Sequence, residues 1–311
     1  KHPETLVLSA DLGTSCEVKK FRAEKPDQYL TMGIAEQNMC SWAAGLAREG
    51  YRPFLHTFSV FLSRRILDQV EMSVAYPNLP VTFVGFVPGI TTPGGVTHQS
   101  INDVGIMRTV PNMAIFDVGD ATDIEGVLDL VYEWNGPAYI RMLRKEVPRL
   151  FPANEPMVFN RARTITEGDD VLILSSSICT EEAMRATAAL EDKGVSVQHM
   201  HVSTLKPFTD PTIVEALKKC KYGVVTMENH YNIGGLGSAV ADLMAENGIG
   251  KKLIKIGLNG YAHGASKMYL MTKYGIDAMN LVKSVEELIG KDLGIKEDDL
   301  DNQRFVDFLE V

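Results

Sequence analysis

The sequence has 311 residues, of which 45% are hydrophobic and 23% are charged, and its formal net charge is −9 at pH 7. This composition is typical of a water-soluble globular protein, and the length favours two domains. The negative charge argues against nucleic acid or an anionic membrane as the main partner. The sequence contains no run of about 18 apolar residues, so no membrane span is predicted.

The cysteines and the N-terminus bear on the cellular compartment. None of the cysteines lies in a Cys-x-x-Cys pair or at zinc-finger spacing from a histidine; they are Cys16, Cys40, Cys179 and Cys220. This pattern indicates free thiols in a reducing compartment. The N-terminal residues do not resemble a signal peptide, so we expect a cytoplasmic protein.

Short β-rich apolar runs alternate with longer helical patterns, which is typical of a parallel-sheet α/β architecture. In chain order the predicted strands of the first half are 6–10, 53–57, 81–87, 114–118 and 138–143, and its predicted helices are 35–49, 61–74, 101–108 and 124–133. In the second half the predicted strands are 171–175, 195–201, 222–227 and 253–256, and the predicted helices are 180–192, 212–219 and 238–246. Gly50 and Gly194 each follow a predicted helix and suit its C-terminal end.

The strand–helix alternation is interrupted at 148–168, which contains three prolines and no clear periodicity. We therefore predict a first domain over 1–150, a linker over 151–168 and a second domain over 169–311. Each domain is expected to have three layers, with a parallel sheet in the first. The last twenty residues are acidic and are predicted to form a peripheral helix.

The most informative motif is the segment 33–39, which reads Gly-Ile-Ala-Glu-Gln-Asn-Met and places Glu36 in the first turn of a predicted helix. A glutamate there can simply complement the helix dipole, which contributes about 0.3–1 kcal/mol. The motif is also very similar to the pyrimidine-domain motif of transketolases and close to that of deoxyxylulose phosphate synthases. In those families the glutamate hydrogen-bonds a ring nitrogen of the thiamine diphosphate aminopyrimidine, so the resemblance implies that Glu36 binds the cofactor and is catalytic.

Two further motifs extend the resemblance to transketolases. The segment 57–61, Thr-Phe-Ser-Val-Phe, resembles the family segment whose aromatic rings pack on the aminopyrimidine, which implies cofactor-binding roles for Phe58 and Phe61. Both could also be core aromatics, an alternative that is about even for Phe61, whereas Phe58 is the preferred stacking residue. The segment 97–99, Thr-His-Gln, resembles the family motif whose histidine contacts substrate hydroxyls, which implies a substrate-binding and catalytic role for His98, although a lone histidine is more often structural.

Other positions bear on the substrate and the cofactor. Arg144, at the end of a predicted strand, resembles the arginine that holds the sugar phosphate in transketolases, and a guanidinium suits such an oxyanion. Arg141 is an alternative with a structural interpretation. Ser15 matches a serine that helps to bind the same phosphate, and Asp11 matches an aspartate near the cofactor.

The second half resembles the transketolase C-terminal domain, through Glu228-Asn229-His230 and the Gly-rich turn that follows at 233–238. In the family this domain carries no catalytic residues and helps subunits to associate. The two halves together indicate a pyrimidine-binding domain of the thiamine diphosphate-binding type and a mixed-sheet C-terminal-like domain. The resemblance spans about residues 6 to 290.

The sequence contains no Gly-Asp-Gly…Asn segment, which in full transketolases holds the metal and the cofactor diphosphate. The resemblance therefore implies an N-terminal, diphosphate-binding partner subunit that binds most of the Mg²⁺ (or Ca²⁺). We expect an α₂β₂ assembly that includes self-association of this chain, and sugar phosphates as substrates.

The chain also departs from the family pattern around the substrate. The family aspartate of the loop before Thr-His-Gln falls at Gly94, an upstream histidine falls at Phe86 or Val87, and Arg64 replaces a tyrosine and becomes a candidate substrate contact. A lost polar contact to a hydroxyl can decide specificity. We therefore expect an unusual donor with an anionic tail, phosphate or sulfonate, and altered hydroxyls or a branched carbon frame.

Two other functions remain open. The chain could be the β subunit of a 2-oxo acid dehydrogenase decarboxylase component, which shares this architecture and which a lipoyl-carrying partner would favour. It could also be a non-catalytic regulatory subunit, although the retention of Glu36 and Phe58 argues against that function. The motifs around Glu36, His98 and Arg144 favour the transketolase interpretation over both.

Overall fold

The computed structural model describes residues 2–301. The strands are β1 Thr5–Ser9, β2 Tyr29–Thr31, β3 Arg52–Phe58, β4 Thr82–Phe86, β5 Ala114–Asp117, β6 Ala138–Met142, β7 Arg163–Thr166, β8 Val171–Ser175, β9 Val197–His201, β10 Thr204–Lys206, β11 Gly223–Tyr231 and β12 Leu253–Leu258. The α-helices are α1 Lys19–Glu24, α2 Glu36–Arg48, α3 Leu67–Gln69, α4 Asp103–Thr109, α5 Ala121–Glu133, α6 Cys179–Asp192, α7 Pro211–Lys219, α8 Leu236–Glu246, α9 Lys267–Lys273, α10 Ala278–Ile289 and α11 Glu297–Asp301. A 3₁₀ turn covers Pro26–Gln28, and π-helical turns cover Phe61–Arg65 and Val70–Ala75 on either side of α3.

The first half forms a seven-stranded sheet in the order β10-β5-β6-β4-β3-β1-β2, in which neighbouring strands of the first half run parallel. The predicted α/β fold class is thus confirmed. The edge strand β10 comes from the second half of the chain and pairs antiparallel with β5. The second half forms a mixed five-stranded sheet in the order β12-β11-β8-β9-β7, with β7 antiparallel to β9.

The nine predicted strands and the predicted helices are present, with their ends shifted by a few residues. Three short strands were not predicted: β2, β7 and β10. Of these, β7 lies inside the stretch 151–168 that was predicted as a linker, and it belongs to the second sheet. The division of the chain into two domains stays a prediction. The predicted helix over 61–74 is interrupted, because Ile66 leaves the helical conformation (φ −124°, ψ 16°) between a π turn and α3.

Several smaller predictions can also be compared with the structure. Gly50 and Gly194 have left-handed backbone angles (φ 91° and 81°), as expected after the ends of α2 and α6. The four cysteines are free and buried. Helix α11 begins the predicted acidic C-terminal helix, whose remainder lies outside the described residues. Between residues 2 and 301 no helix is long and apolar enough to span a membrane.

The two halves of the chain share one hydrophobic core. Its largest cluster of buried side chains joins Leu8 and Phe83 of the first sheet to Leu172 of the second sheet and to Leu217 and Val240 of helices α7 and α8. A continuous apolar core of this kind resists separation, because parting the halves would expose the apolar surface of both.

A buried ionic network crosses the same interface. Arg141 on β6 donates from Nε to Asp103 Oδ2 (2.9 Å) and from Nη1 to Asp117 Oδ2 (2.9 Å), and all three side chains are buried. Its Nη2 donates to the carbonyl of Asn229 in the second half (2.9 Å), and Ser176 donates to Asp117 Oδ2 (2.9 Å). Burial lowers the pKa of Arg141, but the two carboxylates together outweigh it and raise the pKa above its ordinary value, so the guanidinium remains charged. The structural interpretation of Arg141 therefore holds, and this side chain is not available to a substrate.

Arg141→Met should lower the free energy of unfolding by about 3–5 kcal/mol, because two buried carboxylates would lose their shared cation. Urea denaturation at pH 7 measures this change. The matched control is Arg149→Met, which removes an exposed ion pair with Glu125 and should change the stability little. Equal stability of the Arg141 variant and the unsubstituted chain would contradict the importance of this network.

Candidate active site

The predicted site residues follow the C-terminal ends of parallel strands in the first sheet, where sites in α/β proteins usually open. Phe58 ends β3, and Glu36 comes shortly after β2. His98 lies on the loop after β4, and Arg144 lies two residues after β6. Asp11 and Ser15 are on the loop that leaves β1. The parallel arrangement thus brings residues that are far apart in sequence to one edge of the sheet.

Glu36 is the first residue of α2 and has a relative solvent exposure of only 2%. Its Oε1 accepts a hydrogen bond from Nη1 of Arg65 at 2.7 Å, and the Arg65 side chain is 43% exposed. Arg65 ends the π turn that follows β3, which explains how residues 29 positions apart in sequence can meet. The predicted position of Glu36 in the first helical turn is confirmed.

An aromatic cluster lies beside this ion pair. The rings of Phe58 and Phe61 are stacked with their centroids 6.0 Å apart, and His98 meets them edge-on at 6.0 and 5.9 Å. The guanidinium of Arg65 lies over the Phe61 ring, 4.0 Å from its centroid. Arg65 therefore links Glu36 to the cluster, so four residues predicted from three separate motifs lie near one another. Their roles in binding and catalysis remain predictions.

The loop that carries His98 has no space for a side chain at Gly94. A Cβ built there would lie 2.9 Å from His98 Cβ and 3.0 Å from its Cγ. His98 Nδ1 is 2.8 Å from the hydroxyl of Thr97, which leaves Nε2 for another partner. Arg64 is exposed, and its Nη2 donates to the Val96 carbonyl at 3.4 Å, so it contacts the same loop.

The other positions that depart from the family pattern lie next to this loop. Phe86 and Val87 are buried at the end of β4, and Val87 has a left-handed backbone conformation (φ 50°) that is rare for a β-branched residue. Two apolar side chains thus occupy the positions at which the family histidine was expected.

Ser15 and Arg144 lie on adjacent loops. The amide of Lys145 donates to Glu17 Oε1 at 2.7 Å, which joins the loop after β6 to the loop after β1. The thiol of Cys16 is buried, which raises its pKa to about 12, and the charge of Arg144 acts in the opposite direction. Asp11 lies exposed on the loop after β1, and its backbone is left-handed (φ 59°).

The second half of the chain holds the His98 loop by hydrogen bonds that the sequence did not predict. Asn229 accepts from the Ile90 amide (3.0 Å) and donates to the Pro88 carbonyl (3.1 Å) at the start of the loop. Gln99, next to His98, donates to the His263 carbonyl (3.1 Å) at its end. The Glu-Asn-His motif therefore joins the two halves, and Glu228 accepts from the first amides of α8.

His56 is a further residue that the sequence analysis did not identify. It lies on β3 two residues before Phe58, and its ring centroid is 6.0 Å from that of Phe86. Its Nδ1 is buried and has no hydrogen-bond partner among residues 2–301. Burial lowers the pKa of His56 to about 4, so the ring is neutral at pH 7.

Comparison with known proteins gives matches over most of the chain. Residues 1–149 match the family "Transketolase, pyrimidine binding domain", and residues 160–280 match "Transketolase, C-terminal domain". The chain is 37% identical over 290 residues to the 6-deoxy-6-sulfo-D-fructose transketolase subunit SqwH of Clostridium sp. (strain MSTE9), covering 93% of this chain and 89% of that relative. It is 36% identical over 296 residues to the putative transketolase C-terminal section of Methanocaldococcus jannaschii, covering 94% and 92%. The solved structure "Split gene transketolase, inactive beta4 tetramer" superposes with a TM-score of 0.86 at 35% identity over 93% of both chains.

The lowered pKa of His56 predicts a pH dependence of stability. Between about pH 4 and 6.5 the unfolded chain binds a proton at this position that the native chain does not, so the free energy of unfolding should rise with pH. In His56→Gln the slope over this range should fall by up to about 1.4 kcal/mol per pH unit. Urea denaturation at a series of pH values measures both slopes.

Two internal comparisons control this experiment. Above pH 7 the ring of His56 is neutral in both states, so the two proteins should show the same slope. His199, whose burial lowers its pKa to about 3, contributes a slope of its own to both proteins. Identical slopes between pH 4 and 6.5 would show that His56 is not held in its neutral form.

Proposed function

The chain belongs to the transketolase family, and from this premise we propose that it is the C-terminal subunit of a heteromeric, thiamine diphosphate-dependent transketolase. It would take part in moving a two-carbon ketol unit from an anionic ketose to an aldose phosphate. The observation that carries this proposal is the buried carboxylate of Glu36 beside the stacked rings of Phe58 and Phe61, with His98 at their edge.

These residues fit the aminopyrimidine of thiamine diphosphate. A flat, nitrogen-containing ring needs an aromatic face and a carboxyl group shielded from water, and the chain provides both within one cluster. When bound, the cofactor would supply the nucleophilic carbon of the reaction. Glu36 would hold a proton at a ring nitrogen, Phe58 and Phe61 would stack on the ring, and His98 would bind a substrate hydroxyl through Nε2. Asp11 would lie near the cofactor.

We further propose that a separate N-terminal subunit holds the diphosphate and the Mg²⁺ (or Ca²⁺), in an α₂β₂ assembly. Two relatives support this arrangement: one is called a transketolase subunit and the other is a split gene transketolase whose β chains form an inactive tetramer. The second relative also supports self-association of this chain. A site between subunits agrees with the position of the Glu36 cluster, which lies where parallel strands end and includes the half-exposed Arg65.

The substrate proposal depends on which polar groups of the family pattern this chain retains around the substrate. Arg144 and Ser15, on adjacent loops, would bind an anionic tail through a guanidinium and a hydroxyl. The absence of a side chain at Gly94 and the apolar side chains at Phe86 and Val87 remove two of the polar groups that bind the sugar or its phosphate in the family, whereas Arg64 adds a donor beside the His98 loop. A donor other than xylulose 5-phosphate, with a phosphate or sulfonate tail, agrees with this set. The tail of the sulfofructose named for one relative has the same kind of charge.

Transfer activity should require both chains and should fall by about 10²- to 10⁴-fold in Glu36→Gln, because the proton at the ring nitrogen would no longer be shared with a carboxyl group. The assay measures two-carbon transfer to glyceraldehyde 3-phosphate by the co-expressed subunits, with thiamine diphosphate and magnesium. Glu49→Gln, at the exposed end of the same helix, is the matched control and should retain activity.

Three results would contradict this proposal. Turnover by the present chain alone, with the cofactor and magnesium, would disprove the need for a partner. Full activity of the assembled Glu36→Gln complex would instead favour a non-catalytic role for this subunit. Decarboxylation of a 2-oxo acid in place of ketol transfer would move the assignment to the dehydrogenase β subunit.

Arg144→Met should raise the KM for anionic donors by about ten- to a hundredfold with little change in kcat, because a charge-assisted hydrogen bond contributes about 1.5–3 kcal/mol to binding. A donor screen should include xylulose 5-phosphate, other ketose phosphates and 6-deoxy-6-sulfo-D-fructose. Arg149→Met, which removes an arginine paired with Glu125, should leave the KM unchanged. Ordinary kinetics with xylulose 5-phosphate as the best donor would contradict the altered specificity.

A further inference from the structure

Arg65 makes two contacts at the Glu36 site that no family motif assigns. Its guanidinium donates a hydrogen bond to Glu36 Oε1 at 2.7 Å, and its central carbon lies over the Phe61 ring, 4.0 Å from the centroid. Phe61 and Arg65 are the first and last residues of one π-helical turn, which places the guanidinium on the ring of its own turn. The same turn brings Arg65 towards the start of α2.

These contacts are the ones that the aminopyrimidine itself would need. A guanidinium is a planar group with N–H donors, so it can stack on an aromatic face while it donates to a carboxylate. The proposed cofactor ring must also lie on an aromatic face and share a proton with Glu36. We propose that the guanidinium of Arg65 is an internal surrogate for the aminopyrimidine, and that the ring binds by displacing Arg65 from Glu36. This inference rests on the proposed function.

The burial of the two partners supports an exchange of this kind. Glu36 is 2% exposed, and a buried carboxylate without a partner is unfavourable, so the site needs a donor at all times. Arg65 is 43% exposed, so its long side chain can leave the cluster and become hydrated without the rest of the turn moving. Because Glu36 is buried and Arg65 is exposed, Glu36 is the fixed member of the pair and Arg65 the movable one.

The exchange would also free Glu36 for the ring. While the pair is closed, the guanidinium of Arg65 occupies Oε1 of Glu36. Once Arg65 leaves, that oxygen can hydrogen-bond the ring nitrogen instead. Arg65 is therefore a gating residue that acts through Glu36, and it competes with cofactor binding.

The test is the affinity of the assembled two-chain complex for thiamine diphosphate in excess magnesium, measured by isothermal titration calorimetry, with the association rate from stopped-flow fluorescence. Arg65→Ala should bind the cofactor about five- to tenfold more tightly, mainly through faster association, because the competing ion pair and cation–π contact are gone. Arg65→Lys, which keeps the charge but lacks a planar group, should lie between Arg65→Ala and the unsubstituted complex. The control Arg48→Ala removes an exposed arginine from the last turn of α2 and should not change the affinity.

The outcomes separate this inference from the proposed function. If the unsubstituted complex binds thiamine diphosphate but Arg65→Ala binds equally or more weakly, Arg65 is not a competitor and the inference is wrong while the function stands. If the unsubstituted complex does not bind thiamine diphosphate, both are wrong. Thermal melting of each variant checks that Arg65→Ala remains folded, so weaker binding cannot be attributed to unfolding.

Discussion

The buried interaction of Arg141 with Asp103 and Asp117 fixes where the loops of the candidate site begin and end. Asp103 starts α4, directly after the loop that carries His98, and Arg141 precedes Arg144 by three residues. One guanidinium between two carboxylates leaves an excess negative charge in the interior, which is stabilised by hydroxyl donors from Tyr139 and Ser176. Because the network is fully buried, the loops on both sides cannot shift independently of it.

The same interaction extends to the second half of the chain, which contains none of the predicted site residues. Arg141 donates to the carbonyl of Asn229, and the side chain of Asn229 binds the backbone on both sides of Gly89. A Cβ at Gly89 would lie 2.1 Å from Asn229 Oδ1, so the two chain segments are in close contact. The second half of the chain thus positions the His98 loop: Asn229 holds its start, and the His263 carbonyl holds its end through Gln99.

The sequence was sufficient to predict the fold class and the strands that are long and apolar, because strict alternation with helices is a strong signal for a parallel sheet. It was not sufficient for β10, whose three residues have no periodicity and pair with a strand about 90 positions earlier in the chain. The placement of Glu36, through Arg65, beside the cluster of Phe58, Phe61 and His98 was expected only through family resemblance. The contact of Arg65 with Glu36 could not be expected, because it depends on the π-helical geometry of residues 61–65.

The departures from the family pattern near His98 are physically connected. The imidazole of His98 already lies within 3.2 Å of the position that a Cβ at Gly94 would take, so an aspartate there and the present position of His98 exclude each other. Arg64 binds the carbonyl of Val96 between them, and it therefore supports the backbone of a loop that has lost a side chain. The residues at 64 and 94 thus both act on the loop that carries His98. Under the proposed function, recognition of substrate hydroxyls would then depend on His98 and on backbone groups instead of a carboxylate, because the imidazole occupies the space that an aspartate at 94 would need.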